Sequence, residues 1–314
     1  MIGILTVTMN PSIDISASTD KVVPIRKLRC ADVQRDPGGG GINVARVLKR
    51  LGGHCRALYP AGGSSGQLLH RLLEDEGIAS LPVEIAADTR EGFTVLDEAT
   101  GDQYRFILPG ASMREEEWRA CLDRVAAIAG PQDYIVASGS LPPGVPDDFY
   151  ARLAQIAASK GAHVILDTSG PPLAAALEAG VYLVKPNLRE LRDLSGRPLD
   201  RESDWASAAD RLIRSGKAEI IALTLGDQGA LLVSRSARLR ARALPVRIAS
   251  AVGAGDSFLA AMVWRLSSGG SLPEAFRYGV AAGTAALLTP GTELSRKAAD
   301  TDRLYEDVAV TELP

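Results

Sequence analysis

Three cysteines, three histidines and 5% aromatic residues are little for a chain of 314, and each scarcity excludes something. Cys30, Cys55 and Cys121 are far apart, odd in number and without C-x-x-C spacing. A disulfide framework or a zinc site is therefore not expected, and reduced thiols point to the cytoplasm. His54, His70 and His163 have neither metal-ligand spacing nor a nucleophilic partner motif, so no chemistry is assigned to them. No stretch approaches ~18 uninterrupted apolar residues, which argues against a membrane partner. The first eight residues, Met1-Ile-Gly-Ile-Leu-Thr-Val-Thr8, lack a basic leader and read as a buried strand. Neither sign of charge dominates: the net charge is −3 and no basic run occurs, so a nucleic-acid partner is not expected.

What remains is an ordinary globular composition, 46% hydrophobic and 23% charged. The length suits one large α/β domain. Strand patterns at 2–8, 54–59, 133–138, 162–167, 182–185 and 220–225 alternate with helical patterns at 43–51, 67–76, 147–159, 172–179, 188–194 and 205–215. Such alternation predicts a mostly parallel sheet covered by helices on both faces. Ligands then bind beyond the carboxyl ends of the strands. The runs 81–86, 93–97 and 104–108 are short, alternating and separated by turn residues, with Thr100-Gly-Asp102 as a hairpin turn. With 15–29 they predict a small antiparallel sheet acting as a lid. The expected organisation is one domain over 1–314 with a lid built from about 15–30 and 81–110.

The most informative stretch is Ser250-Ala-Val-Gly-Ala-Gly-Asp-Ser257, where a strand-like run turns into an apolar-periodic helix. Gly253 and Gly255 permit a tight bend with uncovered N–H groups, and a helix N-terminus adds its own free N–H groups and positive dipole end. That combination attracts phosphate. A carboxylate there, Asp256, repels a resting phosphate but makes sense as the base for a hydroxyl attacking a phosphoryl group.

Further motifs surround it. Pro37-Gly-Gly-Gly-Gly-Ile-Asn43 suits either a flexible turn or close backbone approach to a ligand, with Asn43 capping the next helix. It is no Walker A loop. Asp14 ends Asn10-Pro-Ser-Ile-Asp14 at a strand's carboxyl end and is either a turn residue or a hydroxyl acceptor. Lys27, Arg29, Arg90 and Arg105 lie in or beside the lid; singly they are surface charges, together a phosphate grip. Asn187 and Glu190 form a capping-box pattern that also suits a hydrated Mg²⁺. Ser138-Gly-Ser140 and Thr224-Leu-Gly226-Asp-Gln-Gly229 follow strands and are either ordinary strand-exit loops or linings for substrate and nucleotide respectively.

Asn10-Pro-Ser-Ile-Asp14, Gly38-Gly-Gly-Gly-Ile-Asn43, Ser138-Gly-Ser-Leu-Pro-Pro-Gly144, Lys185-Pro-Asn-Leu-Arg-Glu190 and Val252-Gly-Ala-Gly-Asp-Ser257 resemble, in order and spacing, the ribokinase-like (PfkB) sugar kinases. The resemblance spans essentially the whole chain. Glycine at position 40, with Lys27-Leu-Arg-Cys30 and Gln103-Tyr-Arg-Phe106, is most similar to the type 2 6-phosphofructokinase branch. Related 1-phosphofructokinases and tagatose-6-phosphate kinases usually carry lysine in that loop.

The resemblance implies a three-layer α/β core with a β lid shared in a homodimer. It implies ATP-dependent phosphorylation of fructose 6-phosphate at the C1 hydroxyl, with tagatose 6-phosphate or fructose 1-phosphate as alternative acceptors. Asp256 would be the base, and the amides of Gly253, Ala254 and Gly255 the anion hole. Asp14, Gly39, Gly40, Asn43, Arg90, Arg105, Ser138, Gly139 and Lys27 would bind the sugar phosphate. Lys185, Asn187, Thr224, Gly226 and Gly229 would meet ATP, and Asn187 and Glu190 would hold Mg²⁺ through water. K⁺ would sit near Ser250, Val252, Ala286 and Gly291, and Lys27 would join a second, inhibitory ATP. The chain departs from the family in Ala251, usually threonine, and Glu293, expected to be basic. A sugar-phosphate-binding regulator without catalysis is the rival from another class, and the intact Asp256 argues against it; the glycine-loop context disfavours a Rossmann oxidoreductase.

Overall fold

Successive residues of a strand point to opposite faces, and along the central strands of this protein both sets are apolar. The computed structural model describes residues 3–289 and 298–313. Its strands are β1 (Ile4–Val7), β2 (Ser12–Thr19), β3 (Ala31–Gly38), β4 (Arg56–Ala61), β5 (Ala79–Glu84), β6 (Arg90–Asp97), β7 (Gln103–Ile107), β8 (Tyr134–Ser138), β9 (His163–Asp167), β10 (Val181–Val184), β11 (Ala218–Thr224), β12 (Ala230–Ser234), β13 (Arg238–Ala241) and β14 (Val310–Glu312). Its helices are α1 (Gly40–Arg50), α2 (Gly63–Asp75), α3 (Glu115–Ile128), α4 (Phe149–Ser159), α5 (Gly170–Ala179), α6 (Leu188–Ser195), α7 (Glu202–Arg214), α8 (Ala254–Ser267), α9 (Leu272–Leu287) and α10 (Ala298–Asp307).

Ten strands form one sheet in the order β14-β13-β12-β11-β10-β9-β8-β1-β4-β5. From β5 to β11 every pairing is parallel, and β12, β13 and β14 add an antiparallel edge. Leu5, Val7, Ile135, Ala137, Val164 and Leu166 bury one face beneath α3 to α7. Ile4, Val136, Ile165 and Leu183 bury the other beneath α1, α8, α9 and α10. This is the three-layer α/β architecture the βα rhythm predicts, because crossover helices must cover both faces of a parallel sheet.

A separate four-stranded sheet has the order β3-β2-β6-β7. Ile13 of β2 joins it to the main body, packing with Ile42, Ala45, Leu69 and Leu73 of α1 and α2. Three local expectations fail here. The run 81–86, expected in the small sheet, instead begins within β5, the parallel edge of the large one beside β4. The small sheet is mixed, because β2 runs parallel to β6. Asp14 lies within a strand, opposite Asp36 and Gly92, not in a loop. Nor is there a strand leading to residue 250: residues 242–249 carry no regular element, and Pro245 has no N–H for a ladder.

Candidate active site

The carboxyl ends of β8, β9, β10 and β11 deliver Ser138, Asp167, Lys185 and Thr224 to one rim of the sheet. There α8 begins. Gly253 sits at φ +75°, a left-handed conformation that glycine adopts without steric cost, and no side chain caps the helix. Its first N–H groups therefore lack helical partners, while Asp256 sits in the first turn.

Two neighbours define the Asp256 carboxylate. Asn43 donates from Nδ2 to Asp256 Oδ2 at 2.9 Å. Lys185, only 8% exposed, is ion-paired through Nζ with Asp167 Oδ1 at 3.1 Å. A Cβ added at Gly255 would lie 3.3 Å from that Nζ, so the helix start and the ammonium are in contact. Burial pushes the Asp256 carboxyl from 3.8 up to about 6, and the Asp167 charge adds to it; the Asn43 hydrogen bond and Lys185 oppose the rise. Burial also works against the Lys185 charge, but Asp167, helped by Asp256 and Glu190, outweighs it and holds the ammonium above its usual value.

A carboxylate poised near neutral pH and partnered by an amide donor is suited to receive a proton. As a general base Asp256 would accept only when ionised, so kcat/KM should then be flat above about pH 6 and fall about tenfold per pH unit below it. A pH–rate profile checks this, and a profile flat down to pH 5 would remove Asp256 from the chemistry.

On one side of Asp256 lie the glycines. Helix α1 starts at Gly40 with Gly39 (φ +113°) as N-cap, so Asn43 does not cap it as expected. The glycine run supplies the first turn itself, the Asn43 N–H donating to the Gly39 carbonyl at 2.8 Å. That leaves the Asn43 side chain to reach Asp256. A Cβ on Gly40 would meet Ser138 Oγ at 2.3 Å, and one on Gly38 would meet the Asp14 carboxyl group at 2.4 Å. Gly139, at φ +109°, also approaches the Gly40 N–H. Asp14, Ser138, Gly139 and the run 38–41 are thus one packed neighbourhood.

Arg90 enters from β6, donating to the Asn10 carbonyl at 3.2 Å and the Leu108 carbonyl at 3.4 Å. Burial lowers its pKa, Asp14 opposing, and its Nε is buried without a partner. Lys27 and Arg105 are exposed and make no ion pair among the described residues.

On the other side, Asn187 caps α6. Its Oδ1 accepts from the Glu190 N–H at 2.9 Å, and Glu190 Oε2 accepts from the Asn187 N–H at 2.8 Å. Burial raises the Glu190 carboxyl and the Asp167 charge adds to it. No group of three or more His, Cys, Asp or Glu able to hold a metal ion occurs among the described residues. A Mg²⁺ arriving with ATP would thus take few protein oxygens and keep its waters.

Asn187 pairs with Thr224 across an isolated bridge, and a 3-10 turn (Gly226–Gln228) follows. Gly226 has open space around it, whereas a Cβ on Gly229 would strike the Ala241 carbonyl at 2.2 Å. Gly229 is therefore required by backbone packing. Ser250 reaches the end of α9, where its N–H donates to the Leu287 carbonyl at 3.3 Å; its Oγ accepts from the Val252 N–H at 3.2 Å, and Ala286 is buried on that helix. Gly291 and Glu293 lie outside the described residues. Ala251 is exposed. Sequence reasoning missed Asp167; its one signal was an acid ending a buried strand.

The pattern of the pfkB family carbohydrate kinases matches residues 6–299. The ATP-dependent 6-phosphofructokinase isozyme 2 of Mycobacterium tuberculosis is 48% identical over 303 residues, covering 96% of this chain and 89% of that protein. The Escherichia coli isozyme 2 is 43% identical over 306 residues, covering 97% and 98%. Solved structures of phosphofructokinase-2 from Escherichia coli superpose with TM-scores of 0.94 in complex with potassium, 0.91 with fructose-6-phosphate and 0.92 as a tetrameric inhibited form. Each is 42–43% identical and covers 98% of this chain and 99% of its own.

Proposed function

The chain belongs to the pfkB family of carbohydrate kinases, and on that premise we propose that it transfers the γ-phosphoryl group of ATP to the C1 hydroxyl of fructose 6-phosphate, giving fructose 1,6-bisphosphate. The carrying observation is the 2.9 Å bond between Asn43 and Asp256. It ties the glycine-rich side, which suits a sugar phosphate, to the helix start that suits a phosphoryl group.

In this reading Asp256 takes the C1 hydroxyl proton as the oxygen attacks the γ-phosphorus and ADP leaves. The amides of Gly253, Ala254 and Gly255, with Lys185, meet the charge that develops on the transferring group. Asp14, Ser138, Gly139 and the glycine run orient the sugar, and Arg90, Arg105 and Lys27 grip its 6-phosphate. Thr224, Gly226 and Gly229 line the nucleotide. Mg²⁺, held through water by Asn187 and Glu190, would neutralise phosphate charge.

A monovalent cation would sit near Ser250, Val252, Ala286 and Gly291; the potassium complex of the Escherichia coli protein supports the use of such a cation, not its place. Phe106, Ile107 and Leu108 are 56%, 63% and 45% exposed, which supports a homodimer closed through the small sheet as a lid. The three free cysteines suit a cytoplasmic enzyme.

The reading is tested by ADP release with fructose 6-phosphate, fructose 1-phosphate, tagatose 6-phosphate and ribose. Fructose 6-phosphate is expected to give the highest kcat/KM. A higher value for another sugar would reassign the acceptor, and no release with any of them would favour a binding regulator.

A further inference from the structure

Arg46 and Arg240 are 3% and 7% exposed, the two buried arginines among the described residues. A buried guanidinium is costly unless its donors are satisfied, so what each one holds is informative. Arg46 lies one turn after Asn43 on α1. Its Nε donates to both Glu76 oxygens at 2.9 Å, its Nη1 to the Pro37 carbonyl at 3.2 Å, and its Nη2 to Asp36 Oδ1 at 3.1 Å. It fastens the end of β3, where the glycine run begins, to the helix whose Asn43 touches Asp256.

Arg240, on β13, does the equivalent on the other side of the site. Its Nη2 donates to the Gln228 carbonyl at 2.7 Å and its Nη1 to the carbonyls of Ala230, at 3.1 Å, and Ala241. Its Nε lies 3.2 Å from Glu202 Oε1, an ion-pair distance without hydrogen-bond alignment. Gln228 closes the 3-10 turn after β11. Both segments are rich in glycine, which loses more freedom on ordering than any other residue, so a clamp on their backbone carbonyls has much to fix. A planar fork presents five donors in fixed directions, whereas an ammonium offers three on one freely turning nitrogen.

We propose that Arg46 and Arg240 are positioning residues, Arg46 ordering the acceptor loop 36–41 and Arg240 ordering the nucleotide turn 226–229. Which loop meets which substrate rests on the kinase reading above; the ordering itself does not.

The test uses the full chain with Arg46→Met, Arg240→Met and the corresponding lysine variants. Amide hydrogen exchange in Arg46→Met should quicken at 38–42 and stay unchanged at 226–229, and Arg240→Met should do the reverse. In kinetics, Arg46→Met should raise KM for the sugar phosphate ~10-fold with KM for ATP within about twofold, Arg240→Met should do the opposite, and the lysine variants should fall between. Exchange quickening in both loops or in neither overturns the proposal, as do two KM values that move together. Should the methionine variants fail to fold, the lysine variants carry the same comparison. A wild-type chain that turns over no sugar phosphate defeats the kinase reading, while exchange at the two loops still decides this proposal.

Discussion

Asp256→Asn is expected to fold, to bind sugar phosphate and ATP, and to lose at least ~10² in kcat, the contribution of a positioned general base. The amide keeps an oxygen for the Asn43 Nδ2 donor, so the loop and helix should stay joined. A KM for fructose 6-phosphate within a few-fold of wild type would separate lost chemistry from lost binding. Near-wild-type turnover would sink the mechanism.

The same variant carries a stability signature. The folded state raises this carboxyl from 3.8 to about 6, favouring the protonated form. Below about pH 4 the folded protein bears no cost. Between about 4 and 6 the unfolded chain has released its proton and the folded one resists, so stability falls as pH rises. Above about 6 the cost is complete, on the order of 3 kcal/mol. Asp256→Asn removes it. The variant should melt a few degrees above wild type at pH 8, with the difference closing towards pH 4; an equal or lower Tm at pH 8 would mean that the carboxylate is not held at a cost.

Lys185→Met has the second large effect. Methionine retains the apolar stem but removes the cation between two carboxylates. Asp167 loses its ion pair, and Asp256 loses the charge that opposes its rise. The acid limb of the pH–rate profile should therefore move above 6, and kcat/KM at pH 7 should fall ~10² or more, the scale for losing one preorganised charge stabiliser. If Lys185 only braces Asp167, the limb stays where it is and the loss is confined to stability. The pH profile distinguishes the two, because only a change in the field at Asp256 shifts the limb.

Much of this site was legible along the chain because it is built from local signals. The Gly253-Ala-Gly-Asp256 turn, the Asn187-x-x-Glu190 capping box and the glycine run each announce a backbone geometry within a few residues. The elements with strong periodicity were found at nearly their observed bounds. The antiparallel edge was not. Strands β12 to β14 escaped notice, and Arg238-Leu-Arg-Ala241 looks like surface although Arg240 is buried. Residues 79–84 carry the same short alternating texture as the small sheet, and only their partner β4 places them in the large one.

By itself, then, the sequence determined the layered α/β class, the glycine turn proposed to meet the phosphoryl group and the carboxylate within it, since these follow from periodicity and from glycine's conformational range. Tertiary structure decided what surrounds that carboxylate. Asn43 is 213 positions from Asp256, and Asp167 and Lys185 arrive on separate strands. Burial and neighbouring charge set the Asp256 pKa, and both are long-range quantities that no local pattern encodes.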